Sequence, residues 1–140
     1  MSQDPKFVHA AFSSIAPRYV LANHICSCWV DVIWRKRVAK MVAALKPNDI
    51  LDLATGTGDL ALEMAKQLPD AEITAADFCP AMLEIAKDAG VTNTIEADAM
   101  NLPFDDDSFD VVTVAYGLRN MESWVGAARE MQRVLRPGGT

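Results

Sequence analysis

The sequence is poor in the features that mark secreted, metal-binding and membrane-spanning proteins. Its 140 residues include only three cysteines, and Cys26 and Cys28 are not followed by a second Cys or His pair at a zinc-site spacing. No stretch approaches the roughly 18 consecutive apolar residues that a membrane-spanning helix needs. Residues 1–7 carry charges and Pro5 where a signal peptide needs an apolar core. These absences predict a cytoplasmic protein whose cysteines stay reduced and pack as small hydrophobic side chains.

Positive charge is scarce as well. The chain has 13 Lys and Arg against 19 Asp and Glu, a net charge of −6. A nucleic-acid-binding surface needs clustered basic residues, so nucleic acid is excluded as a partner, and the acidic balance does not favour an anionic membrane surface. The content of 51% hydrophobic and 23% charged residues is that of a soluble globular domain, which leaves a small or neutral substrate as the expectation.

Two patterns of apolar residues divide the chain. From Phe12 to Leu45 they recur at three- and four-residue spacing, which predicts helices. After Asn48, short β-branched runs alternate with helical segments, which predicts an α/β fold with right-handed βαβ units and a parallel sheet. We therefore expect an N-terminal helical cap over residues 1–46 and a Rossmann-like domain over residues 47–140. The predicted strands cover 50–54, 72–76, 91–97 and 109–115, and the predicted helices of this domain cover 59–68, 80–89 and 122–135.

The turn at Arg136 to Gly139 normally leads into a further strand, and the sequence stops at Thr140. A parallel sheet left open at its fourth strand exposes a long unpaired edge. We therefore expect the sequence to be truncated after the fourth strand.

A glycine-rich turn follows the first predicted strand and opens a helix. Gly56 and Gly58 allow a sharp turn and a close approach of the backbone to a ligand. The helix N-terminus that follows offers free N–H groups to an anion. By itself this Gly-x-Gly-x-x-Ala pattern fits a nicotinamide dinucleotide as well as S-adenosylmethionine (SAM).

Three acidic residues indicate which of these two cofactors the site is expected to bind. Asp52 lies inside the first strand, where a charge is costly without a partner; SAM brings an ammonium and a sulfonium, whereas a dinucleotide brings a pyrophosphate that an acid repels. Asp77 ends the second strand, where a carboxylate can accept both ribose hydroxyls. Asp98 follows the third strand and can accept from the adenine amino group, with the backbone of Ala99 beside the ring. We assign these residues to a SAM site together with Thr55, Phe78, Met82 and Tyr116.

Residues 50–140 resemble the first four strands, in the order 3-2-1-4, of class I SAM-dependent methyltransferases, with strands 5–7 missing. In particular they resemble the C-methyltransferases of demethylmenaquinone and ubiquinone biosynthesis. Upstream, Phe12 to Ala16 with Tyr19, Asn23, Ser27 and Trp34 is similar to the N-terminal signature of that family, from which the sequence departs at Val20 and Ala22. The segments that carry the resemblance are Asp52–Asp59, Leu102–Phe104, Ser108–Asp110, Tyr116–Asn120 and Arg133–Gly139.

The resemblance implies transfer of a methyl group from SAM to a ring carbon of a reduced, prenylated quinone. Arg119, just past the fourth strand, is the catalytic candidate: as a permanent cation it can stabilise a phenolate or orient a water. The alternative interpretation of Arg119 is that it forms a structural ion pair. Tyr19 is a second catalytic candidate, and Asn23 and Asn120 join Arg119 as candidates for substrate binding. Asp31 occupies a position where menaquinone-type members often carry Asp, which favours demethylmenaquinol over a ubiquinone precursor.

Several alternatives stay open at this point. The chain could be a SAM methyltransferase of another small molecule, an inactive SAM-binding fragment or an NAD-dependent oxidoreductase. Membrane contact is expected only through the lipophilic quinol, transiently at the inner face of the membrane, and a homodimer is compatible with the sequence. The run Asp105–Asp107 follows Phe104 in a loop and is interpreted as a solvated turn, so no metal site is predicted.

Overall fold

The computed structural model describes residues 30–115, 117 and 120–140. Over these residues, helices alternate with strands as the apolar pattern predicts. None of the described helices is long and apolar enough to cross a bilayer. The elements are α1 (Val30–Ala44), β1 (Asp49–Leu53), α2 (Asp59–Gln67), β2 (Glu72–Asp77), α3 (Pro80–Asp88), β3 (Thr94–Glu96), β4 (Val111–Val114) and α4 (Trp124–Val134).

The four strands form one sheet in the order β3-β2-β1-β4, and every pairing is parallel. This confirms the predicted order. β1 is central, and its Asp52 lies opposite Ala75 of β2 and Thr113 of β4. Because all strands run in one direction, their carboxyl ends meet at a single edge of the sheet, where ligands of open α/β sheets bind.

Side chains of β1 alternate between two apolar layers. Ile50 packs with Leu60 and Met64 of α2 and with residues of α1. Leu51 and Leu53 face the opposite layer, which includes Phe109 and the Ala127 and Val134 side chains of α4. A parallel strand covered on both faces is expected to be apolar throughout, so the buried Asp52 is the exception in β1.

β3 is shorter than predicted. The prediction of a strand from residue 91 is wrong because the residues after α3 close the helix instead. Gly90 has a φ of 110°, its N–H donates to the carbonyl of Lys87, and the N–H of Val91 donates to the carbonyl of Ala86. This is the Schellman arrangement, which satisfies the last carbonyls of a helix and buries the residue that follows the glycine. β4 likewise begins at Val111, since Phe109 bridges to Leu135 after α4.

Arg133 of α4 makes several bonds to the loop between β3 and β4. Arg133 donates to the backbone carbonyls of Leu102 and Phe104 at 3.0 and 2.7 Å and pairs with Asp106 at 2.9 Å and Glu130 at 2.8 Å. The residues 105–107 are exposed, as expected of a solvated turn. Arg133 therefore has a structural use, since it holds the segment that follows β3 against α4. The proposed division of the chain between residues 46 and 47 stays a prediction.

Candidate functional site

The turn after β1 stands at the carboxyl edge of the sheet. Three of its residues adopt positive φ: Ala54 at 55°, Gly56 at 59° and Gly58 at 80°. The N–H of Thr55 donates to the carbonyl of Ala76 on β2, and the N–H of Gly58 donates back to the carbonyl of Thr55, both at 3.0 Å. The turn is thus fixed to the neighbouring strand through its backbone.

The two glycines of the turn serve different purposes. A Cβ on Gly58 would lie 2.6 Å from Cγ2 of Val91 and 3.0 Å from Cβ of Ala86, so this glycine allows close packing against the end of α3. A Cβ on Gly56 would meet no atom within 4 Å. Gly56 therefore borders open space, where a side chain would interfere only with a ligand.

Asp52 is buried beside this space, with 1% of its surface exposed. Its carboxylate accepts hydrogen bonds from the hydroxyls of Thr55 at 2.6 Å and Thr113 at 2.7 Å. Burial, with a smaller contribution from the nearby carboxylate of Asp77 and against the opposing effect of the two hydroxyls, raises the pKa of Asp52 to about 6. The group is therefore a carboxylate at neutral pH that would gain from a positively charged neighbour.

Asp77 ends β2 on the other side of the turn. One of its oxygens accepts from the N–H of Gly56 at 2.8 Å and the other from the N–H of Cys79 at 2.9 Å. Burial raises its pKa above the ordinary value, although these backbone donors oppose the shift. Among the residues that the structure describes, no Lys or Arg forms a salt bridge with Asp52 or Asp77. Two carboxylates thus converge on the turn, and the part of the chain that the structure describes gives neither a counter-charge in a salt bridge.

The segment after β3 lies next to Asp77. The N–H of Ala97 donates to the backbone carbonyl of Asp77 at 3.0 Å, and Asp98 and Ala99 follow directly. Asp98 is exposed, and one of its oxygens accepts from the N–H of Met100 at 2.9 Å. The predicted adenine-side residues therefore stand at the same sheet edge as the predicted ribose-side carboxylate.

The remaining predicted residues fall into two groups. Phe78 follows Asp77 directly and is half-buried. Met82 of α3 is buried and packs with Cys79, the residue before the helix. Asn120 lies after β4, where its N–H donates to the carbonyl of Gly117 at 2.9 Å. Gly117 itself is close to the turn, since a Cβ there would lie 2.4 Å from Cβ of Ala54. The other four predicted residues, Tyr19, Asn23, Tyr116 and Arg119, lie outside the described residues.

Sequence reasoning missed Thr113. It belongs to a β-branched run that predicts a strand and nothing more. Its hydroxyl reaches Asp52 only because the parallel register of β1 and β4 places the two residues opposite each other. A polar residue in an otherwise apolar central strand, matched by one in its neighbour, is the only signal that could have linked them.

Comparisons with known proteins agree with this geometry. The sequence model that defines the ubiE/COQ5 methyltransferase family matches residues 1–140 of this chain. The chain is 47% identical to the demethylmenaquinone methyltransferase of Thermus thermophilus over 91% of its own length and 60% of that protein. It is 44% identical to the enzyme of the same name from Deinococcus radiodurans, over 94% of its own length and 57% of that protein. The chain thus spans about 60% of the length of the curated relatives that it matches.

A solved structure supports the fold independently. A protein from Methanococcus maripaludis, provisionally assigned as a SAM-dependent methyltransferase, superposes with a TM-score of 0.72 and 24% identity. The superposition covers 99% of this chain and 64% of that one. The predicted class I methyltransferase sheet is therefore confirmed.

Proposed function

We propose, since the chain belongs to the ubiE/COQ5 methyltransferase family, that it binds SAM at the turn after β1 and that its protein methylates a ring carbon of demethylmenaquinol. The observation that carries the cofactor assignment is the pair of buried carboxylates, Asp52 and Asp77, which meet beside the open space at Gly56 and form no salt bridge with a cation of the described residues. The acceptor is inferred from the names of the relatives.

The residues around the turn fit SAM better than a dinucleotide. Gly56 leaves room for a ligand against the backbone, and Asp52 favours a cationic group there. A pyrophosphate in the same place would meet two carboxylates and be repelled. Asp77 is already oriented by the N–H groups of Gly56 and Cys79, and a carboxylate has about four acceptor sites, so it keeps capacity for sugar hydroxyls.

When bound, SAM supplies an electrophilic methyl group on a sulfonium. The chain must hold that group in line with the acceptor carbon and keep water out, which makes orientation the main contribution to the rate. Asp52 holds its orientation through Thr55 and Thr113, so its negative charge is fixed before a ligand arrives. A hydroquinone becomes a carbon nucleophile on losing a phenolic proton. Arg119 is proposed to stabilise that phenolate, with Tyr19, Asn23 and Asn120 around the ring.

The specific acceptor rests on weaker support from the described residues. Asp31, the residue that favoured demethylmenaquinol, forms a salt bridge with Arg35 at 2.6 Å within α1. We keep demethylmenaquinol as the proposed acceptor on the relatives' names, with a ubiquinone precursor as the alternative. The lipophilic quinol, a homodimer and a cytoplasmic location with transient membrane contact stay proposals.

A calorimetric titration of SAM into the purified chain tests the cofactor site. We expect saturable binding by the unaltered chain, none by an Asp77→Ala variant, and unchanged binding by an Asp70→Ala variant, which removes an exposed acid in the turn before β2. NAD serves as the second ligand. Binding of NAD in place of SAM would decide for an oxidoreductase and against this proposal.

The acceptor requires a separate measurement. Methyl transfer from SAM to a reduced, short-chain prenylated naphthoquinone is followed by mass spectrometry, with the matching benzoquinone as the competing acceptor. We expect methylation of the naphthoquinol and its loss in an Arg119→Met variant that still binds SAM. Transfer to the benzoquinol alone would overturn the menaquinone assignment, and SAM binding without transfer to either would identify a binding-only chain.

A further inference from the structure

The outer face of α1 is unusual for a surface helix. Its inner face is buried through Asp31, Ala39 and Val42 against the rest of the domain. Large apolar side chains nevertheless project from the opposite side along its whole length. Exposed fractions there are 63% for Val30, 69% for Ile33, 65% for Met41 and 54% for Leu45, which follows the helix.

Basic residues are interspersed with these apolar side chains. Lys36, Arg37 and Lys40 are all exposed, and no acid of the described residues forms a salt bridge with any of them. The only acid of α1, Asp31, is on the buried side, where it pairs with Arg35. A chain with a net charge of −6 thus presents a local surface that is both cationic and apolar.

We propose that this outer face of α1 docks on an anionic lipid bilayer, with α1 lying in the plane of the headgroups. A helix with cations beside exposed apolar side chains fits such an interface, because the cations meet lipid phosphates while the apolar groups enter the acyl boundary. The apolar residues extend over roughly 22 Å of helix, a length that suits a plane better than a compact protein pocket. A symmetric contact with a second copy would bring two sets of three cations together and is disfavoured.

Helix α1 also lies close to the candidate cofactor site. Nη1 of Arg35 lies 3.7 Å from Oδ2 of Asp59, the first residue of α2 after the glycine-rich turn. The first half of α1 is therefore beside the carboxyl edge of the sheet. Docking of the outer face would therefore hold that edge within about one helix diameter, roughly 10 Å, of the bilayer. The inference rests on the transient membrane contact proposed above and gives it a location, but it is independent of the methyl acceptor because it requires only the surface of α1.

Vesicle co-sedimentation tests the proposal with the full chain. The probes are vesicles of phosphatidylcholine alone and of phosphatidylcholine with about one third phosphatidylglycerol. We expect binding to the anionic vesicles only, weakened when NaCl rises from about 0.1 to 0.5 M because salt screens the cations. A Lys36→Gln/Arg37→Gln/Lys40→Gln variant should bind on the order of a hundredfold more weakly, from about fivefold for each cation. An Ile33→Ser/Met41→Ser variant should lose roughly tenfold.

The matched control is Lys66→Gln/Lys87→Gln/Arg129→Gln. It removes three exposed cations from other helices and, like the α1 variant, changes the net charge from −6 to −9. We expect its vesicle binding to stay within about twofold of the unaltered chain. Equal losses in both triple variants, or no binding to anionic vesicles, would overturn the proposal. Concentration-dependent dimers in sedimentation velocity that only the α1 variant abolishes would assign the face to a second copy instead. SAM titration of each variant separates a failure of docking from a failure of the cofactor site.

Discussion

The aspartates at the two ends of the sheet differ in their partners and in the direction of their pKa shifts. At the amino end, Asp49 and Asp110 both pair with Arg136, at 2.7 and 2.8 Å. The Arg136 hydrogen bond, with the N–H groups of Asp49 and Asn48, lowers the pKa of Asp110 to about 2. At the carboxyl end, only three residues further along β1, burial raises the pKa of Asp52 to about 6.

The difference separates aspartates that have an internal counter-ion from the aspartates that we propose bind a ligand. The aspartates at the amino end have their counter-ion inside the chain, so they fasten β1 and β4 to the turn after α4. Those at the carboxyl end have hydrogen-bond donors but no cation among the described residues. A groove does open at the amino end, between residues 45–48 and 136–140. We do not assign the site to it, because Asp110 and Arg136 in its wall already pair with each other and ligands of parallel sheets bind at the carboxyl ends.

The largest predicted effect separates the two glycines at the carboxyl end. Gly58→Ala should destabilise the chain by about 2–4 kcal/mol. The Cβ of the alanine would overlap Val91, and its backbone would be strained at the positive φ of this position. Gly56→Ala adds no overlap and should cost only about 1–2 kcal/mol of strain, yet weaken SAM binding. Urea unfolding and SAM titration measure the two effects. Equal destabilisation by both substitutions would remove the distinction between a packing glycine and a ligand-facing one.

Asp52→Asn should increase stability while weakening SAM binding. Because the folded-state pKa of Asp52 is raised, the folded chain holds a proton that the unfolded chain releases between about pH 4 and pH 6, and stability falls as pH rises through that window. A shift of about two units corresponds to roughly 3 kcal/mol, so the neutral amide should gain about 1–3 kcal/mol at pH 7. Both threonine hydroxyls can still bond to the amide. Lower stability of the variant at pH 7 would reveal an internal cation near Asp52.

SAM affinity should depend on the same titration. A cationic ligand favours the ionised form of Asp52, so binding should strengthen with rising pH through about 6 and level off above about 7. Between pH 5 and pH 7 we expect about a tenfold increase in affinity. Calorimetry across this range checks it, with Asp52→Asn as the control. A control that kept the full pH dependence would assign the titration to another group.

The smallest effect is expected at the amino end. The pKa of Asp110 is lowered, so its contribution to stability is present above about pH 4 and is lost as pH falls towards 2. Arg136→Met should lower the melting temperature slightly at pH 7 and flatten the loss of stability below pH 4, since the partly exposed pair is screened by water. SAM affinity should not change. A variant that lost SAM binding while remaining folded would mean that the two ends are coupled.

The sequence by itself determined the class of fold, and it predicted where the candidate site lies. The alternation of apolar runs predicts the parallel sheet, and the glycine-rich turn with Asp52, Asp77 and Asp98 predicts a ligand at its carboxyl edge. Each of these signals lies within a short stretch of sequence, so it does not depend on the tertiary structure. The start of β3 was misplaced because Val91 is β-branched like a strand residue, although its burial and its N–H complete α3.

The tertiary structure alone decided which partners these residues have. Asp52 meets Thr113 across 61 residues of sequence, and Arg136 meets Asp49 across 87. Gly56 and Gly58 are equivalent in the sequence pattern but face open space and a packed helix end, respectively. Strand pairing and helix packing fix such contacts, and they depend on the whole arrangement of the chain. Local patterns record which residues are polar or flexible, whereas the fold decides whether a buried charge has a counter-ion or is left for a ligand.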